Sequence, residues 1–472
     1  MHPSTLSVST AGSTYSRIID SMPANKFASK RPRGAAAASA SCDGNNYDAD
    51  GNPLSGMTIA CALQQNDTTT LGSTLKDCLP GGKDAVVTEI VISKSLGEAF
   101  TGGRSTPVYY ITCKVMRPGW DQPKERHFVA KLVIMEGDAS TNAKLSMKRE
   151  SYAVERRFYD VAAPRIRDDV GACGITLEIP RLLASDRDGS KSHPAVCFFM
   201  NDIRSRGFPR HPEFLSVSEA ERALKWIARL HAIFWNDEKS QNWRRDLWTR
   251  GGFWTDGKDA VNIQTISAQW TQTVKWLQTH HPELVSEEVK AIGKRIQALA
   301  GPLDRFLSME STGPRGTMTH GDYKAANLFL SESRADDDML GAESVAVVDF
   351  QFAGGGLGAE DVSYLLFSDA RGHYFNDEEE LLQVYHEELV TSLIEQRKGG
   401  PSSISLDCLK MQYELSRIDF TRHLLGRGWV ASTEGDALLV RALAETLIRI
   451  DGGSPLGSEG EYFAKLGSLC EG

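Results

Sequence analysis

His320-Gly321-Asp322-Tyr323-Lys324-Ala325-Ala326-Asn327 and, twenty-two residues further on, Asp349-Phe350-Gln351 bring the carboxylates of Asp322 and Asp349 and the carboxamide of Asn327 into short segments of the chain. In-line transfer of a phosphoryl group needs such side chains: a carboxylate to orient the acceptor hydroxyl, and oxygen ligands to hold a divalent cation. Asp322 suits the first role, and Asn327 and Asp349 the second. His-Gly-Asp alone is only a tripeptide, and Asp and Asn favour turns whatever their chemistry. The context adds weight, because Val345-Ala346-Val347-Val348 predicts a short buried strand that delivers Asp349 at its carboxyl end.

The Asp and Asn of the protein-kinase catalytic loop are separated by four residues, as Asp322 and Asn327 are here, and a second Asp follows on a later strand end. On these residues the chain resembles the aminoglycoside phosphotransferase and choline kinase-like superfamily, and most closely its ecdysteroid kinase-like branch, where Asp-Phe-Gln replaces Asp-Phe-Gly. Residues 219–235, ending Ala228-Arg-Leu-His231-Ala-Ile-Phe-Trp235, resemble the family's helix ahead of the catalytic loop. The resemblance covers about residues 84 to 470. It implies an α+β, protein-kinase-like two-lobed fold, and ATP with Mg²⁺ as cofactors. It also implies a small-molecule hydroxyl as acceptor, such as an aminoglycoside, choline or a sterol-like alcohol. Asp361, after the glycine-rich turn that follows Asp349, resembles the family acid that braces the catalytic loop; His320 and His231 read as structural support of the site.

The elements that must position these groups can be traced upstream. Alternating and β-branched segments at residues 85–93, 108–116 and 128–135 predict three successive strands. Between the first two, Gly97, Gly102 and Gly103 would let the backbone fold closely over phosphates; a plain glycine-rich hairpin turn is the competing reading. The third strand carries Lys131 between apolar neighbours, where the lysine of kinases meets the α- and β-phosphates. Glu155, in a helical stretch that resembles the family's E-x-x-F-Y phrase, is its expected ion-pair partner. Further strands are expected at 176–182 and 195–200. Met200-Asn201-Asp202 then stands where the family has its linker between lobes, so Met200 and Asp202 border the nucleotide site, and the Asp202 side chain suits a cap of the turn that follows. Ser218 and Glu221 read as a capping box opening the helix ahead of Trp235. Six tryptophans between 235 and 276 offer either core packing or an apolar wall for a bulky alcohol. Leu-rich helical periodicity in the last hundred residues predicts a helical subdomain over the acceptor site.

Composition bounds the remaining possibilities. The chain of 472 residues, 41% hydrophobic and 24% charged, resembles an ordinary globular enzyme. A net charge of -9 disfavours nucleic acid as a partner. The eight cysteines show no metal-ligand spacing, and no apolar run reaches the length of a membrane span. Residues 1–80 lack aliphatic periodicity and read as a disordered tail, followed by a nucleotide-binding lobe over 84–202 and a catalytic lobe over 203–472. Up to Cys42 the tail is Ser-rich and basic, so a cytoplasmic protein with a plain tail and an organelle-targeted one both remain open. Two other functions also stay open: a catalytically silent, pseudokinase-type binding module and a protein Ser/Thr kinase. The second lacks both an Ala-Pro-Glu after Asp349 and an Arg before Asp322.

Overall fold

The computed structural model describes residues 55–470 apart from 80–83, 96–106, 135–141, 174–176, 186–194, 237–241, 256–257, 259–262, 309–315, 333–343, 370–376 and 397–403. Five strands form the main sheet: β1 (Val86–Ser95), β2 (Val108–Met116), β3 (Lys124–Ile134), β4 (Leu182–Ser185) and β5 (Ala195–Asn201), all but the short β4 containing β-branched or aromatic residues. They pair antiparallel in the order β1-β2-β3-β5-β4. The two-residue period sorts the side chains, Cys197 and Phe199 packing on one face and Phe198 and Met200 on the other. The strand expected over 176–182 is displaced: Glu178 makes an isolated bridge to Ala346, and the ladder to β5 begins only at Leu182. Pro180, lacking an N–H, cannot continue such a ladder.

The face carrying Cys197 and Phe199 is covered by α1 (Ser55–Gln65) and α2 (Thr68–Cys78). This corrects the expectation of a structureless tail through residue 80. Ile59 and Leu63, and then Leu71 and Leu75, recur at a spacing of four within the Ser/Thr-rich sequence and are buried against the sheet. Asp67 caps α2 by accepting the N–H groups of Thr69 and Thr70 at 3.0 Å each. The basic N-terminal stretch considered as a transit segment lies outside the described residues.

Beyond the sheet the chain is mainly helical. α3 (Ala143–Arg157) passes through a π-helical turn, Phe158–Ala162, into α4 (Ala163–Cys173). The larger lobe holds α5 (Val217–Phe234), α6 (Asn242–Asp246), α7 (Ile266–His280) and α8 (Glu287–Leu307). Four three-residue strands follow, β6 (Thr317–Thr319), β7 (Leu328–Leu330), β8 (Val345–Val347) and β9 (Gly354–Gly356). The last helices are α9 (Gly358–Asp369), α10 (Glu378–Glu395), α11 (Leu406–Gly426), α12 (Glu434–Asp451) and α13 (Glu459–Cys470). The architecture is the expected α+β, protein-kinase-like arrangement of a small β-rich lobe and a larger helical one. Among the described residues no helix is long and apolar enough to cross a membrane.

The capping box of α5 is Ser216 with Glu219, two residues earlier than the expected Ser218 and Glu221. Two S-x-x-E phrases overlap here, and the first gains from an ion pair between Glu219 and Arg210. Trp226, Trp243, Trp254 and Trp270 are fully buried, which assigns these indoles to the core.

Candidate active site

Lys131 lies on β3 opposite Val108 of β2 and Phe198 of β5. Its ammonium donates to Glu155 Oε2 on α3 and to Asp349 Oδ1 beyond β8, both at 2.8 Å. Burial works against the charge of Lys131, but the carboxylates of Asp349 and Glu155 outweigh it and hold its pKa well above the usual lysine value. Glu155 is 1% exposed, so the pair is desolvated and depends on this geometry. Asp349 has φ +70, a left-handed conformation that Asp adopts more readily than most residues.

β7 pairs with β8 and carries Asn327 to the residue before Asp349: the Val348 N–H donates to Asn327 O at 3.0 Å. Asn327 Nδ2 donates to the carbonyl of Asp322 at 2.8 Å and to Asp322 Oδ2 at 3.1 Å. Lys324 Nζ stands 3.3 Å from Asp322 Oδ1. The general-base candidate is thus held from two sides, and at 6% exposure it is largely shielded from water.

His320, Asp361 and His231 support this loop from beneath. Asp361, in the first turn of α9, accepts the backbone N–H of His320 at 2.6 Å and that of Gly321 at 2.9 Å. It also accepts from His231 Nε2 at 3.2 Å, while His231 Nδ1 meets the Tyr385 hydroxyl at 2.8 Å. His320 Nδ1 accepts the Asp322 N–H at 3.2 Å and Nε2 donates to Val348 O at 3.0 Å, a pattern that fits the neutral ring. Burial, opposed mainly by Asp361, lowers the pKa of His320 from its ordinary value. Gly321 turns the chain at φ +79, where a Cβ would run into Phe352 O and come within 2.5 Å of Gly252 N.

A crevice of about 750 Å³, counted with its open mouth, separates the sheet from the larger lobe. Lys131, Glu155, Met200, Asp202, Asn327 and Asp349 line it together with Val108, Tyr110 and Val129. Asp322 is not on its wall but is hydrogen-bonded to Asn327, which is. Asp202 faces the crevice yet spends its carboxylate on Arg204, accepting the Arg204 N–H at 2.9 Å and its guanidinium at 2.6 Å. The Arg204 guanidinium lies 3.7 Å over the Tyr110 ring. Gly97, Gly102 and Gly103 lie outside the described residues.

One supporting segment escaped the sequence reading. Residues 248–255 run along both loops of the site: Trp248 Nε1 donates to Gln351 O at 2.9 Å, Gly252 N to Phe352 O at 3.2 Å, and Phe253 N to Gly321 O at 3.3 Å. Arg250 anchors the segment on Glu360 at 2.7 Å and Asp419 at 2.8 Å, and on Asp304. The Trp248 and Gly251-Gly252 signals were visible, but nothing local told which loops they would touch.

Among the described residues no three His, Cys, Asp or Glu side chains converge as a metal site. The donor set at the crevice still suits a hard divalent cation: with Nδ2 of Asn327 committed to Asp322, its carbonyl oxygen is the atom left for a ligand, and Asp349 adds carboxylate oxygen. Such a cation takes its remaining ligands from phosphate oxygens and water.

A profile of the Ecdysteroid kinase-like family (EcKL) matches residues 105–397, more than half of the chain. Solved structures to which the chain is similar include a putative aminoglycoside phosphotransferase from Ralstonia eutropha, at 14% identity over 85% of this chain and 98% of that one, TM-score 0.35. Another is an aminoglycoside phosphotransferase from Streptomyces rimosus, at 16% identity over 77% and 99%, TM-score 0.32. A choline/ethanolamine kinase family protein from Mesorhizobium loti is similar at 12% identity over 86% and 99%, TM-score 0.29. No curated protein matches the sequence. By the extent of the profile match, the chain belongs to the ecdysteroid kinase-like family.

Proposed function

We propose that this chain is an ATP-dependent small-molecule kinase that transfers the γ-phosphoryl group to a hydroxyl of an alcohol-type metabolite. One observation carries the reading: the Lys131 ammonium lies 2.8 Å from both Glu155 and Asp349 on the wall of a crevice that also holds Asn327, the hydrogen-bond partner of Asp322. A lysine, two metal-ligand candidates and a base candidate are the parts phosphoryl transfer uses. Membership of a family named for ecdysteroid kinases supports a small-molecule acceptor.

In this reading Lys131, steadied by Glu155, meets the α- and β-phosphates, and Asn327 and Asp349 hold Mg²⁺. The cation supplies neutralisation of the triphosphate charge. Asp322 accepts a hydrogen bond from the acceptor hydroxyl and takes its proton late, as the new O–P bond forms and the bond to the β-phosphate oxygen breaks. Lys324, 3.3 Å from Asp322 Oδ1, adds positive charge where the transferred group would pass.

Incubation of the purified chain with terminally labelled ATP, Mg²⁺ and a fractionated metabolite extract tests the proposal. The expected product is a labelled phosphate ester of a small alcohol. Nucleotide binding without any Mg²⁺-dependent transfer or hydrolysis would turn the reading to a silent binding module, and label on protein side chains to a protein kinase.

A further inference from the structure

The hydroxyl of Tyr159 is buried, and among the described residues it has no hydrogen-bond partner. The residue is 5% exposed and lines the same crevice as Lys131, Glu155 and Asp349. A buried donor left unpaired is costly and calls for an explanation, such as a role at the site. Tyr159 follows Glu155 by four residues, in the π-helical turn that continues α3. The Glu155 carboxylate, one helical turn earlier, is near enough to act electrostatically on the phenol. The ring is held there by edge contacts with Phe158, centroids 5.4 Å apart, and with Phe350, 6.4 Å apart. Phe350 in turn stacks on Phe158 at 3.7 Å. A single-turn π-bulge of this kind is frequent at functional sites.

The charges of Glu155, Lys131, Asp349 and Arg167 all reach this hydroxyl. One ammonium, Lys131, serves two carboxylates, Glu155 and Asp349. Our proposal, which rests on the kinase reading above, is that Tyr159 is a positioning residue of the nucleotide site: when Lys131 turns to the phosphates and Asp349 to the metal, the Tyr159 hydroxyl donates to the Glu155 carboxylate and keeps it facing Lys131. In the structure Lys131 donates to both acids, and the Tyr159 hydroxyl is left without a partner among the described residues. Burial holds its pKa well above the usual tyrosine value, so it acts as a donor at any working pH.

The test compares wild type with Tyr159→Phe, which removes only the unpaired hydroxyl. Without nucleotide the thermal midpoint should stay the same or rise, whereas a purely structural hydroxyl would lower it. In calorimetric titration, affinity for ATP and ADP should fall about ten- to a hundredfold, the range for a hydrogen bond to a charged group. Affinity for adenosine, which lacks the phosphates Lys131 serves, should be unchanged. In a Glu155→Gln background the same change should have clearly less than its full effect, as coupled neighbours require. Equal loss for adenosine and ATP, or no loss for ATP, overturns the proposal, and so does a full effect without Glu155, which would mean that the hydroxyl reaches the phosphates directly. Absence of nucleotide binding by wild type would instead strike the kinase reading itself.

Discussion

Asp361 Oδ1 accepts the backbone N–H of Gly321 at 2.9 Å, so the first turn of α9 holds the residue immediately before the candidate base Asp322. The second carboxylate oxygen takes the N–H of His320 and the ring of His231. One fully buried carboxylate therefore sets the path of the loop that carries this candidate without facing the crevice.

Replacement of Asp361 by Asn turns an amide NH₂ towards donors that need an acceptor. Leaving buried donors unpaired, with a charge removed, is expected to cost about 3 kcal/mol of stability. Urea unfolding followed by tryptophan fluorescence measures it. A loss below about 0.5 kcal/mol would show that the loop is held by other contacts.

Asp322→Asn keeps the size of the side chain and its place beside Asn327. Turnover is expected to fall at least about a hundredfold, in line with general-base contributions, while ATP still binds. Steady-state kinetics with the identified acceptor, together with titration of ATP, separate the two effects. Near-normal turnover would remove Asp322 from the mechanism.

Gly321→Ala places a methyl group against Phe352 O and Gly252 N in a backbone held at φ +79. The left-handed conformation alone costs about 1 kcal/mol for a residue with a Cβ, and the contacts add to it. A loss of at least about 2 kcal/mol is expected, read as a fall in the thermal midpoint. An unchanged midpoint would mean that the loop from 352 yields easily.

Asp419 offers a check through pH. Burial alone would raise its carboxyl, but Arg422 and Arg250 outweigh it and hold the pKa at about 2, against 3.8 without these neighbours. A pKa depressed in the folded state contributes stability that is present above the unfolded value and lost as pH falls through the folded one. The contribution is about 2 kcal/mol. Asp419→Asn should therefore be clearly less stable than wild type at pH 6, and the gap should narrow between pH 4 and pH 2. A constant gap across that window, measured by urea unfolding, would remove the charge of Asp419 from the account.

Much of the fold and of the site was legible because its signals are local. The span of β2 and the strand before Asp349 are each read within a dozen residues, and both recur in the structure. Errors arose where neighbours outside the window decide. Two S-x-x-E phrases look equivalent in isolation, and the ion pairs of Glu219 with Arg210 and Arg222 favour the first. The Ser/Thr-rich residues before 80 look too polar to fold until the sheet offers a face for Ile59, Leu63, Leu71 and Leu75.

The amino-acid sequence alone determined which chemical groups are available and how they are spaced along the chain, since side-chain type and turn preference are properties of a residue and its near neighbours. Tertiary structure decided which groups meet. Lys131 and Asp349 are 218 residues apart in sequence and 2.8 Å apart in space, and residues 248–255 reach Gln351, Phe352 and Gly321. Such meetings follow from burying the apolar faces of many elements at once, a sum that no short stretch of sequence contains.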